Sequence, residues 1–175
     1  MPNWCQNNLR IKSNGEKVLE FLEYVKDEKG DFTMNKAVPM PKELENTDSP
    51  NFSSEEDKKK LIEKYGTDNW YDWRCENWGC KWDASESGFW KDGDDWMISF
   101  QTPWGPPCKF MEKLSVQFPK MEFILQFADE GIGQYPLGQA TYIDGREYLD
   151  GPGEGTDEAE KFAENVWDEN WVELD

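Results

Sequence analysis

The sequence predicts an α+β fold, an antiparallel sheet visited in the order strand, helix, strand, strand, helix, strand. A helical insertion after the first helix and an added C-terminal hairpin and helix complete it. Three observations carry this expectation. Short runs near residues 9 and 98 alternate apolar and polar residues, as half-buried strands do, and residues 121–128 are apolar on both faces. Near residues 18–25, 110–118 and 159–171 apolar residues recur at helical spacing instead. Finally, Tyr142-Ile143-Asp144-Gly145-Arg146 sets an Asp-Gly pair between apolar residues, the signal of a type I′ hairpin.

Residues 3–12 form the first expected strand, with Leu9 and Ile11 alternating against Arg10 and Lys12. Asn14-Gly15 turns the chain into a helix reaching about Glu28, with Val18, Leu22 and Val25 at i, i+4 and i+7 beside Phe21, and Gly30 as its stop. From Asp31 to Ser54 the pattern dissolves around Pro39, Pro41 and Pro50, which suits an excursion from the sheet. Ser53 with Glu56 reads as a capping box for a helix that ends at Tyr65 before Gly66. Leu61, Ile62 and Tyr65 supply its packing edge.

The next stretch, Tyr65 to Ala84, holds four of the ten tryptophans. Thr67 or Asp68 caps a short helix there and Gly79 ends it. At 100° per residue Trp70, Trp73, Arg74 and Asn77 share one face, with Tyr71 and Trp78 flanking it. Lys81 to Ala84 is a candidate short strand, and Asp92-Gly93-Asp94 turns into a stronger one from Asp95 to Thr102. Trp104-Gly105-Pro106-Pro107 closes that strand and opens a helix to Phe118 through Phe110 and Leu114. Met121 to Ala128 then reads as a central strand that Glu130-Gly131-Ile132-Gly133 closes. After the hairpin, Gly151 to Gly155 is a joint into a last helix from about Thr156. Its apolar face carries Ala159, Phe162, Ala163, Val166, Trp167 and Trp171, and its other face Asp157, Glu160, Glu164 and Asp168. The core order is the ferredoxin-like βαββαβ arrangement, expected as one domain over residues 1–175 with an insertion at 30–80 and an acidic helix at 151–175.

The formal charge of −18 arises from 37 acidic and 19 basic residues. The last 45 residues alone hold twelve acids against two bases. A field of this sign repels nucleic acid and anionic membrane and draws basic protein surfaces at salt-dependent rates. No direct nucleic-acid binding and no membrane association are therefore expected. No apolar run approaches the ~18 residues of a membrane helix, and the first residues lack a signal peptide's basic and apolar regions, so a cytoplasmic protein is expected.

The chain contains no histidine, which excludes Ser-His-Asp and Cys-His devices and histidine-bound metals. Cys75 and Cys80 form a C-x4-C pair, but Cys5 and Cys108 are remote, poor spacing for a four-thiolate zinc site. No cofactor, no metal and no catalytic residue are expected. Asp83 and Glu130 are a pair of carboxylates of the kind acid–base chemistry uses, and nothing in the sequence sets their separation.

Several stretches together resemble a family of phage and plasmid proteins with a YubB-type ferredoxin-like domain. They are Asn3-Trp4-Cys5 with Asn7, Pro39 and Pro41, Tyr65-Gly66, Asn69-Trp70-Tyr71-Asp72-Trp73-Arg74, Asn77-Trp78-Gly79 and Lys81-Trp82-Asp83-Ala84. Phe100, Thr102, Trp104, Pro106-Pro107 and Glu130-Gly131 continue the likeness, which covers about residues 1–140. Cys80 and Gly105 stand where the pattern has Thr and Ser, and Gln134-Tyr135 where it has Asp-Phe. The resemblance implies the ferredoxin-like fold and origin in a mobile element, and it implies no activity.

Two surfaces are candidate sites. Trp4, Trp70, Trp73, Trp78, Trp82 and Trp104, with Asn7, Arg74, Asn77, Lys81, Asp83 and Glu130 among them, either form a recessed binding surface or pack as a core between the insertion and the sheet. Arg74 and Lys81, if buried, would need Asp83 or Glu130 as partner. The second surface is the acidic face of Asp157, Glu160, Glu164 and Asp168, whose carboxylates repeat every ~5.4 Å, a scale close to a phosphate backbone. The leading expectation is a non-enzymatic acidic binding protein that occupies a basic, nucleic-acid-binding surface of a host protein, as an inhibitor of host defence would. The alternatives are a small-ligand binder that stacks a nucleotide or sugar on the indoles, and a virion or structural component.

Overall fold

In the computed structural model, which describes residues 3–12 and 15–174, β1 (Trp4–Lys12) lies between β3 (Asp95–Pro103) and β4 (Glu122–Asp129) and pairs antiparallel with both. β2 (Ser85–Asp92) flanks β3, while β5 (Leu137–Ile143) and β6 (Arg146–Asp150) extend the sheet beyond β4. The order β2-β3-β1-β4 is the ferredoxin-like sheet, and β5 and β6 widen it to six strands. Asp144 and Gly145 both have positive φ, 48° and 76°, as the expected type I′ turn between β5 and β6 requires.

One face of the sheet carries α1 (Glu16–Tyr24) and α6 (Cys108–Gln117). Leu9 and Ile11 of β1 and Phe123, Leu125 and Phe127 of β4 meet Val18, Phe21, Leu22, Phe110 and Leu114 there in one apolar cluster. The insertion packs at the same cluster through α2 (Met34–Ala37), α3 (Lys42–Glu45), α4 (Glu55–Tyr65) and α5 (Trp70–Asn77). The opposite face receives α7 (Asp157–Trp167), whose Ala159, Phe162, Ala163 and Val166 are buried with Ala128 and Leu137. Each large side chain sealed in this way contributes ~1.5–3 kcal/mol. Because both faces are covered, β3 is buried on both sides through Met97, Ile98, Ser99 and Phe100, where alternation predicts a half-buried strand.

Several boundaries move for local reasons. α1 stops at Tyr24, four residues before the expected end. Asp27 there accepts the N–H groups of Lys29 and Asp31, and Thr33 N–H returns to the Val25 carbonyl. Gly15 sits just before α1 at φ 78°, while Asn14, its expected partner in the turn, lies outside the described residues. The cap of α4 is Ser54, bonded to Asp57 N–H, one residue beyond the Ser53/Glu56 box. For α5 it is Asn69, bonded to Asp72 N–H, rather than Thr67 or Asp68. Lys81 to Ala84 is not a strand: Asp83 turns its carboxylate to Met34 N–H and Thr33 O–H, and the ladder begins only at Ser85.

α7 ends at Trp167, so Trp171 lies beyond the helix and not on its apolar face. Glu169 takes φ 58°, its N–H bonding Val166 and the N–H of Asn170 bonding Asn165, a Schellman ending built without glycine. The following residues return across the sheet, where Gln126 both donates to and accepts from the Val172 backbone.

Candidate functional site

The tryptophan-rich stretch splits into an enclosed half and an open half. α5 turns Trp73 inward, and its ring meets Trp78 edge-on at 5.8 Å. Trp78 is 1% exposed and donates its indole N–H to the Val38 carbonyl, 2.9 Å away. Arg74 lies between two half-enclosing rings, 5.1 Å from the centroid of Trp70 and 5.2 Å from that of Trp78. Burial pulls its pKa down, opposed by the nearby charge of Asp83. Asn77 donates to the Trp73 carbonyl and accepts from the Lys113 ammonium. In this half Trp73 and Trp78 are core, and the partly buried Trp70, Arg74 and Asn77 pack around them.

Asn7 is also internal. It is fully buried and donates to the Cys5 and Phe100 carbonyls and to the Thr102 hydroxyl, so it ties β1 to β3 and cannot meet a partner.

The open half gathers where β1 starts and β3 ends. The rings of Trp4 and Trp82 stand 6.2 Å apart, and the Lys81 ammonium lies 4.7 Å from the Trp82 centroid and 5.2 Å from that of Trp104. Trp104 is 48% exposed, and its φ of 70° turns the chain out of β3. Backbone bonds fix the neighbours: Trp104 N–H to Asn3, and Glu130 N–H to Trp4. Glu130 is exposed on the surface beside them.

The expected pairing of Arg74 and Lys81 with Asp83 or Glu130 is absent among the described residues. Both cations rest on indole faces instead, which the sequence did not anticipate. A π face stabilises a cation by ~0.5–2 kcal/mol and leaves Asp83 free to cap α2.

The acidic face is where periodicity placed it. Asp157, Glu160, Glu164 and Asp168 are all exposed, and none is ion-paired among the described residues. Glu169, which follows, reaches a cavity of about 600 Å³ also bordered by Asp27, Asp31, Asp83 and Glu86. The Asp31 and Lys29 N–H groups hold the Asp27 carboxyl below its ordinary pKa. The acidic surface thus runs from α7 into a concavity that sequence spacing could not reveal, because its carboxylates come from three separate segments.

The thiols are poorly suited to chemistry. Burial raises the pKa of Cys5 and Cys80 far above the usual thiol range and that of Cys108 to about 11, so all three remain protonated at neutral pH. Among the described residues no three His, Cys, Asp or Glu side chains are grouped as metal ligands. No helix among them is long and apolar enough to cross a membrane.

Comparison with known proteins gives two matches. The crystal structure of a protein api92 from Yersinia pseudotuberculosis superposes with a TM-score of 0.55 at 11% identity, over 87% of this chain and 99% of that one. At that identity the likeness is one of fold. No curated protein matches the chain. The family model described as the ferredoxin-like domain in Api92-like protein matches residues 77–170, more than half of the chain. The sheet, its two covered faces and this match agree, and the chain belongs to the family of ferredoxin-like domains of Api92-like proteins.

Proposed function

We propose that this is a non-enzymatic binding protein that presents a fixed array of carboxylates to a basic protein surface. The observation that carries the reading is the docking of α7. Its apolar side is sealed against Ala128 and Leu137, so the backbone beneath Asp157, Glu160, Glu164 and Asp168 is held by the core, while the carboxylates face solvent without cations of their own. An array held in place loses less entropy on binding than a disordered acidic tail does. The acidic cavity beside Glu169 prolongs the same surface.

The likeness of the tryptophan motifs to phage and plasmid proteins supports origin in a mobile element, acting in the host cytoplasm. A host protein with a nucleic-acid-binding surface is the partner whose charge fits best, since helical carboxylates repeat on a scale near that of phosphates. Occupying such a surface would inhibit a host defence protein without chemistry, in keeping with protonated thiols and the absence of histidine. The exposed Trp104 beside Lys81 offers a second contact area.

Affinity capture from host lysate tests this. The protein should retain a specific basic partner at low salt and release it progressively as salt rises. Failure to retain a specific partner under both low-salt and moderate-salt conditions contradicts the proposal.

A further inference from the structure

A second concavity lies on the other face of the sheet from α7, where the start of α6 meets β5 and β6. Its volume is about 570 Å³, within the ~300–1,000 Å³ of small-molecule pockets. Phe127 and Leu149 give it apolar walls, and Cys108 and Glu147 lie on its inner side. The rim is stiff. Pro106, Pro136 and Pro152 border it, and Gly138 and Gly151 pack so tightly that a Cβ on either would stand 2.9 Å from the other segment's backbone.

The polar side is built from beneath. Tyr142, fully buried in β5, donates its hydroxyl to Glu147 Oε1 at 2.6 Å, with Cys108 beside the same pair. That bond fixes the Glu147 carboxylate against the cavity rather than leaving it to sweep through solvent. Asp150 follows in β6, but it pairs with Gln139 on the α7 face and its carboxylate accepts the Gly151 N–H, so Glu147 is the carboxylate of this site. The Glu147 carboxylate is not ion-paired among the described residues. Tyr135, well exposed, stands at the mouth as an aromatic face.

From these features we infer that the cavity is a binding site for an organic cation, an ammonium or guanidinium carried on a short apolar stem. The stem packs on Phe127 and Leu149, and the cation meets Glu147 with Tyr135 available for a cation–π contact. An uncharged ligand of the same shape would forgo the charge-assisted contact with Glu147, so charge sets selectivity. The site is separate from the α7 face and does not depend on the basic-partner reading.

The test is calorimetric titration of the full chain with phenethylammonium, with its neutral counterpart phenethyl alcohol, and with the capped peptide acetyl-Leu-Arg-Leu-amide. The ammonium should bind at least about tenfold more tightly than the alcohol. Glu147→Gln, which keeps an acceptor for the Tyr142 hydroxyl, should erase that difference while leaving the thermal midpoint near that of the unchanged protein. Tighter binding of the free amine assigns the site to small molecules, and tighter binding of the peptide assigns it to a basic side chain of a protein. Equal affinity for ammonium and alcohol, no binding of either cation, or an unaltered preference in Glu147→Gln overturns the inference. Should Glu147→Gln fail to fold, the ammonium-to-alcohol comparison on the unchanged chain decides alone.

Discussion

The guanidinium of Arg10, in the first strand, lies 4.1 Å from the centroid of the Trp171 ring, near the other end of the chain. It also bonds Asp92 at 2.6 Å and Glu173 at 3.3 Å, so one side chain joins β1, the β2–β3 turn and the segment after α7. This contact fastens the acidic helix at its far end, while Ala159 to Val166 fasten its middle.

Trp171→Ala should therefore loosen the terminal segment without unfolding the sheet. The expected cost is ~1–2 kcal/mol by urea unfolding, the upper range for a desolvated cation–π contact. Hydrogen exchange should quicken at Val172, whose N–H is held by Gln126, and stay slow in β1. An unchanged exchange rate at Val172 would mean that Arg10 does not anchor the segment.

The two halves of the tryptophan stretch should respond oppositely to truncation. Trp78→Ala removes an enclosed ring and its bond to Val38, so a loss of ~3–5 kcal/mol is expected. Trp104→Ala removes a half-exposed ring and should cost ~0.5 kcal/mol or less. Acrylamide quenching should fall in the second variant and persist in any folded form of the first. Equal costs would contradict the division into core and surface.

Alkaline conditions should destabilise the fold through its thiols. An unfolded cysteine ionises with a pKa near 9.0, whereas folded Cys108 is raised by burial to about 11. The folded pKa being the higher, the stabilising difference is complete below pH ~9 and is lost as pH rises from ~9 to ~11. Cys5, Cys80 and Tyr142 shift in the same direction. Unfolding midpoints in urea should be level between pH ~7 and ~8.5 and fall above that, less steeply in Cys108→Ala. A midpoint that stays level to pH ~10.5 would refute this.

The order of elements was legible in the sequence because each had its own period or punctuation. Phe110, Leu114 and Phe118 spelled a helix, Asp144-Gly145 a hairpin, and Phe123 to Ala128 a buried strand. β2 was not, since Ser85 to Asp92 alternates weakly and Asp83 draws the chain just before it toward α2. At the candidate site, Trp70, Arg74 and Asn77 could be placed on one helix face, but whether that face met core or solvent depended on Val38 and Lys113, about forty residues away on either side. The Asn7 side chain looked like a surface amide and is sealed between β1 and β3. The Glu147 cavity left no mark in the sequence at all, because its walls come from α6, β4, β5 and β6.

The acidic array on α7 is what the account stands on, and its most direct test is the affinity of the captured partner for Glu160→Lys/Glu164→Lys, measured beside Trp104→Ala. Both substituted glutamates are exposed, so the fold should be unaffected. Reversal of the two charges should weaken binding about tenfold or more at low salt, with the gap closing as salt rises, whereas Trp104→Ala should change it less. Equal affinity of the double variant and the unchanged protein at low salt would contradict the role of this helix.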